Sequence, residues 1–187
     1  MTTLLGRPSS VLWVLGWLLL SPLGVADFKV HRVDAKHVAD RLVINAVLDL
    51  SLTEETEQAV NHGVPLVVLT EFAVVEDGRL WERRRVRYQT RSRLRYHALS
   101  DHYIVDVAGS EDIETFRTLS DALEHIGTLK ALVLDWPSFT RNGARTGEID
   151  VRSRLDINAL PAPLRPTAYL SGQWQLGGDW TRWRVER

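Results

Sequence analysis

Apolar and polar residues alternate along most of this chain with the period of a β-strand. From Leu42 to Leu52 the residues Leu42, Ile44, Ala46, Leu48, Leu50 and Leu52 fall at every second position, with Asn45, Asp49 and Ser51 between them. That spacing belongs to a strand with one buried and one wet face. Phe28 to Val33 reads as a shorter strand, joined to it through the polar segment Asp34 to Arg41. Val64 to Val75 is apolar at both parities, as a strand buried on both faces requires. Glu76-Asp77-Gly78-Arg79 is a hairpin turn, because Asp-Gly accepts the positive φ angles of tight turns. The chain returns from Leu80 towards Ala98, and further strands are expected at Tyr103 to Val107, Leu129 to Leu134 and Ile149 to Ile157.

Helix signals interrupt this pattern twice. Thr53, with Glu54, Glu55 and Glu57 behind it and Gly63 closing the segment, predicts a short helix on the outside of the protein. Ser120 is the expected cap of a second, with Ala122, Leu123 and Ile126 on its apolar side and Gly127 as the stop. An apolar strand follows each helix, a recurrence that hints at two similar halves. Pro137 to Gly147 reads as a loop, and Leu160 to Pro166, with three prolines that cannot donate, as an extended connector. Tyr169 to Leu176 and Trp180 to Val185 read as a last hairpin around Gly177-Gly178. About nine short strands and two small helices predict a mainly β fold, an antiparallel β-sandwich or strongly curved sheet, with a layered α+β arrangement as the alternative.

The N-terminus follows different rules. Arg7 precedes a ten-residue apolar run, Val11 to Leu20, then Ser21, Pro22, Gly24 and Ala26. A positive lead, a brief apolar core and small residues at its end are the anatomy of a secretory signal. Residues 1–26 are therefore expected to be a signal peptide cut after Ala26, and residues 27–187 a single periplasmic domain. The alternative is an uncleaved anchor in the inner membrane, which leaves the domain facing the periplasm. The apolar stretch is just short of the roughly 17 residues a spanning helix needs.

Composition narrows the chemistry. There is no cysteine, so disulfides, thiol nucleophiles and zinc-thiolate sites are excluded. Removing Arg7 leaves 22 basic against 24 acidic residues, a net charge of -2, which argues against a nucleic-acid partner. Arginine greatly outnumbers lysine, but only its placement can signal recognition.

Several residues together resemble one known family. These are Tyr96-His97-Ala98-Leu99 before Tyr103-Ile104-Val105, Phe116 and Leu119 ahead of Ala122-Leu123, Leu155-Asp156-Ile157, Leu160-Pro161-Ala162-Pro163-Leu164-Arg165, and Trp174 with Trp180. The chain resembles DUF4390, a family of exported proteobacterial proteins of unknown function. The resemblance implies export but brings no catalytic residue, cofactor or substrate. It also implies a gene setting beside a ribosomal RNA methyltransferase and a membrane sensor kinase, hence an envelope-sensing context.

The sharpest cluster is the arginine row. Arg83, Arg85, Arg87, Arg91, Arg93 and Arg95 share one parity with Trp81, and Arg84 alone takes the other. Same-face neighbours on a strand lie about 7 Å apart, inside the roughly 8 Å over which salt screens charge. Such a row needs acidic neighbours or a bound anion. The planar guanidinium suits phosphate or carboxylate. The alternative is a solvated face paired with Glu71, Asp106, Asp150 and Asp156. Trp174, Trp180 and Trp183, with Trp81 and Trp136, suit carbohydrate stacking or the plugging of a core.

His97, His102, Asp101 and Asp106 cluster in sequence without a recognisable metal-ligand spacing, and His31 and His37 stand apart. No Gly-x-Ser-x-Gly, Ser-x-x-Lys or His-Glu-x-x-His motif and no phosphate loop is present, so no catalytic residue, metal or cofactor is assigned. The reading is a non-catalytic periplasmic module that binds an envelope or inner-membrane protein, such as a sensor kinase, or an anionic envelope ligand, through the arginine row and the open edge beside it. The alternative is a hydrolase of envelope polymer or lipid with His97 or His102 as base.

Overall fold

The structure is a computed structural model that describes residues 27–77, 82–135 and 147–186. The leader, the Gly78-Arg79 turn, Trp81, Trp136 and most of the Pro137 to Gly147 loop lie outside the described residues. Nine strands form one sheet, strongly curled into a half-barrel. In chain order they are β1 (Phe28–Val38), β2 (Arg41–Leu50), β3 (Leu66–Asp77), β4 (Glu82–His97), β5 (His102–Val107), β6 (Ile113–Phe116), β7 (Thr128–Asp135), β8 (Glu148–Leu155) and β9 (Thr181–Glu186). Across the sheet they run β6-β5-β4-β3-β8-β9-β1-β2-β7. Neighbours are antiparallel except β1 and β9, which are parallel. The mainly β expectation holds in its curved-sheet form.

Curvature has visible causes. The register shifts at Val30/Arg32 in the β1–β2 pair, at Ile44/Ala46 in the β2–β7 pair and at Phe72/Ala73 in the β3–β4 pair. Such irregularities bend a strand and increase its twist. The inner side of the curl is filled by Val33, Ala35, Leu42, Ile44, Phe72, Val74, Ile149 and Val151.

A second cluster closes one end, where Phe28, Leu48, Leu66, Leu94, Leu155 and Trp174 meet the helices. Helix α1 (Glu54–Asn61) starts at Thr53, whose side chain accepts from the Thr56 N–H as expected. It is more than an outer connection, because Val60 is fully buried in this cluster. Helix α2 (Leu119–Gly127) is capped by Thr118, whose Oγ1 accepts from the Asp121 N–H at 3.1 Å, and not by Ser120. It packs on β2, β5, β6 and β7, so it spans the gap between the two edges of the curled sheet.

Three segments depart from the sequence reading. Asp34 to Val38 continues β1, because polar Asp34 and Lys36 alternate with buried Val33 and Ala35, and the hairpin turns at Ala39, φ +52°. Leu160 to Pro166 is not extended: 3-10 turns at Ile157–Ala159 and Ala162–Leu164 lead into helix α3 (Arg165–Leu170). Proline is tolerated there because the first turn of a helix has no use for its N–H. Tyr169 to Leu176 is not a strand; a 3-10 turn at Gly172–Trp174 follows α3, leaving a single bridge from Gly177 to Arg154. Trp180 to Val185 is realised as β9.

Candidate functional site: an arginine-rich outer face

β3 is buried on both faces, as its sequence predicts. Leu66, Val68, Phe72 and Val74 point into the curl, while Val67, Leu69, Glu71, Ala73 and Val75 lie on its outer side. The register sets long side chains beside that outer row: Arg93 opposite Val67, Arg91 opposite Leu69 and Arg84 opposite Val75 on β4, with Arg154 opposite Leu69 and Arg152 opposite Glu71 on β8. The aliphatic stems of arginine suit such a covering role while the charged heads stay wet.

The arginine row does not stay on one face. The bulge at Phe72/Ala73 leaves Arg87 unmatched and reverses the parity of what precedes it. Arg83 lies opposite Glu76 and Arg85 opposite the inward Val74, so both leave the face that holds Arg91, Arg93 and Arg95. Arg84, the odd residue by sequence parity, joins that outer face instead. The expected continuous row from Arg83 to Arg95 is thereby corrected to two patches. Trp81 lies outside the described residues.

Two buried carboxylates organise the centre of this face. Glu71, 8 % exposed, accepts from Arg152 Nε at 2.7 Å and Arg154 Nε at 3.1 Å. Asp150, 1 % exposed, accepts from Arg84 Nε at 2.6 Å and Arg182 Nε at 2.9 Å. Burial acts to raise both pKa values, but the two arginine hydrogen bonds on each outweigh it, and both carboxyls are held below their usual range. Arg152 also lies over the ring of Trp180, 4.4 Å from its centroid.

Further along β4, Arg93 Nε and Arg95 Nε stand 3.8 and 3.9 Å from the carboxylate of Asp106. Of the four acids expected to answer the row, Asp106 does so, Asp150 is taken by Arg84 and by Arg182 of β9, and Glu71 by β8. Asp156 is used locally, accepting from the Asn158 N–H at 3.1 Å. Arg85 and Arg87 are engaged within the chain.

Arg91 is different. It makes no ion pair among the described residues, and it opens onto a groove of about 340 Å³ with Arg93, Asp106, Val67, Ala108, Asp156 and Asn158. Sequence parity indicates this pair of arginines. The 3-10 turn that forms the groove's far wall is hidden in a segment read as strand end and connector.

The other candidates resolve separately. His97 and His102 face each other across the β4–β5 hairpin. His97 Nδ1 lies 3.0 Å from Ser100 Oγ, and His102 Nδ1 contacts the Ser100 carbonyl, so both secure the turn. Tyr96 donates to Asp101 at 2.7 Å, which pushes the phenol's pKa up. No group of three or more metal-capable side chains occurs among the described residues. Trp174 is a core plug whose Nε1 donates to Glu55 at 2.7 Å, and Trp183 faces the inner cluster.

No curated protein and no solved structure matches the chain. The family model described as "Domain of unknown function (DUF4390)" matches residues 25–184, nearly the whole chain, from ahead of β1 into β9, and the chain therefore belongs to the DUF4390 family.

Proposed function

We propose that this protein is a non-catalytic binding module of the bacterial envelope, exported by its N-terminal segment, and that Arg91 and Arg93 hold an acidic group of a protein partner there. The observation that carries this reading is the groove at Arg91. Glu71 and Asp150 answer arginines elsewhere on the outer face, and Asp106, at the groove itself, stands 3.8 Å from Arg93 Nε, whereas Arg91 makes no ion pair among the described residues and borders apolar Val67 and Ala108. Two guanidinium groups beside a partly apolar floor suit a carboxylate carried on a side chain, since forked hydrogen bonds fix the charge and the floor accepts the stem. The leader residues Arg7 and Val11 to Leu20 support the compartment. No helix among the described residues is long and apolar enough to cross a membrane.

Crosslinking in intact cells from a photoreactive residue at exposed Ala159, on the groove rim, tests this reading. We expect an adduct with an envelope protein that disappears in the Arg91→Glu, Arg93→Glu variant and survives His97→Ala and His102→Ala. An unchanged adduct after charge reversal removes the groove from the account. Capture by phosphatidylglycerol vesicles, with no protein adduct, replaces the protein partner with a lipid headgroup.

A further inference from the structure

The inner face of the curl changes character partway along β3. Leu66 and Val68 belong to the end cluster and Phe72 and Val74 to the inner one. Between them the register aligns Thr90 of β4, Thr70 of β3 and Ser153 of β8 in one row, and Ser92 adds a fourth hydroxyl opposite Val68. Burial strips water from a hydroxyl, so each of these needs a hydrogen-bond partner. Thr70 and Ser153 take each other, 3.3 Å between their oxygens. The other buried polar residues, Thr56, Glu71 and Asp150, are likewise partnered. Ser92, 4 % exposed, makes no side-chain hydrogen bond among the described residues.

Ser92 and Thr90 line a cavity of about 280 Å³. Tyr88 joins them from the β4 side, its ring tilted against Phe72. Ile126 of α2 and Leu129, Lys130 and Leu132 of β7 line it from across the gap. The cavity thus offers hydroxyls on β4, apolar walls, and a cation on β7. Lys130 is exposed and makes no ion pair among the described residues. The volume is near the lower end of the roughly 300–1,000 Å³ typical of small-molecule sites, so it suits a compact ligand. Water alone would satisfy Ser92 but leave Ile126, Leu129 and Leu132 wet. A wholly apolar occupant would leave Ser92 unpaired.

We infer that this cavity binds a small organic acid whose compact apolar body carries a hydroxyl at the end away from the carboxylate. The hydroxyl meets Ser92 and Thr90, the body packs against Tyr88, Leu129 and Leu132, and the carboxylate lies beside Lys130. Each part of the ligand answers one kind of surface, and the molecule bridges β4 and β7 across the gap. The site is on the inner side of β4, whereas Arg91 opens outward, and it involves no protein partner. It therefore stands or falls independently of the groove.

The test titrates the isotope-labelled full chain with para-hydroxyphenylacetate, with phenylacetate, which lacks the hydroxyl, and with tyramine, which exchanges the carboxylate for an ammonium group. Amide chemical shifts report both the site and the dissociation constants. We expect para-hydroxyphenylacetate to shift the amides of Ser92, Leu129 and Lys130, and phenylacetate to bind about fivefold more weakly. Tyramine should bind about threefold more weakly or not at all. In Ser92→Ala the preference for the hydroxyl should vanish while the preference for acid over amine stays, and in Lys130→Gln the reverse should hold. The comparison of the three compounds on the unaltered protein decides without either variant. No shifts at millimolar concentration, shifts elsewhere in the chain, equal binding of the two acids, or a preference that survives loss of its residue overturns the proposal.

Discussion

At Gly178 the space beside one α-carbon is already occupied. A Cβ there would stand 2.1 Å from the Phe28 carbonyl oxygen, so the loop after the Trp174 turn passes directly against the start of β1. Gly172, six residues earlier, has nothing within 4 Å of the same position. Gly178→Ala should therefore destabilise the protein by about 1–3 kcal/mol through forced displacement of backbone. Gly172→Ala should stay within roughly 0.5 kcal/mol. Urea denaturation of the two variants checks this, and equal midpoints would deny the close approach. The pair Gly177-Gly178 reads in sequence as a hairpin turn. What requires glycine at the second position is a contact with a strand some 150 residues away, which no local pattern encodes.

At the scale of the element, α2 shows how closely local rules compete. Ser120 followed by Asp121 and Ala122 looks like a cap, yet the helix starts two residues earlier, and Thr118 takes the Asp121 N–H. Thr118→Ala should cost about 1 kcal/mol and Ser120→Ala almost nothing, measured by thermal or urea unfolding. The reverse order would restore Ser120 as the cap. The helix's last residue, Gly127, is held by packing: a Cβ there would meet the Leu48 carbonyl at 2.5 Å. The twin motif at Gly63 ends α1 differently, in a left-handed conformation with φ +84°. The same order of helix, glycine and strand thus rests on different physics in its two copies. β4 teaches the stronger lesson. Six of its arginines share one parity in sequence, and one bulge opposite Phe72/Ala73 sends Arg83 and Arg85 to the other side.

For the molecule as a whole, the two doubly held carboxylates link folding to acidity. Glu71 joins β3 to β8, and Asp150 joins β8 to β4 and β9. Their folded pKa values lie below the unfolded values near 4. Protonation thus favours the unfolded chain. The stabilisation is complete above the unfolded value and is lost as pH falls through the lower folded values. Urea midpoints should be flat near neutrality and fall below about pH 4. Asp150→Asn should lower stability at pH 7 by about 3 kcal/mol, as expected when a buried ion pair loses one partner, and should flatten the acid limb. An acid limb unchanged in that variant would show that Asp150 does not carry it.

Alternation alone determined that this chain builds strands, that β2 buries one face and β3 two, and that its arginines gather on β4, because a pleated backbone sends neighbours to opposite sides wherever the strand lies. The curl, the parallel meeting of β1 and β9, the coiling of the proline-rich segment into α3 and the division of the arginine row were decided only by tertiary structure. Each depends on which distant strand supplies the opposing register or packing surface. The groove at Arg91 belongs to both levels: sequence places two arginines on one side of a strand, and only the folded chain sets one of them near Asp106 and leaves the other without an ion pair among the described residues.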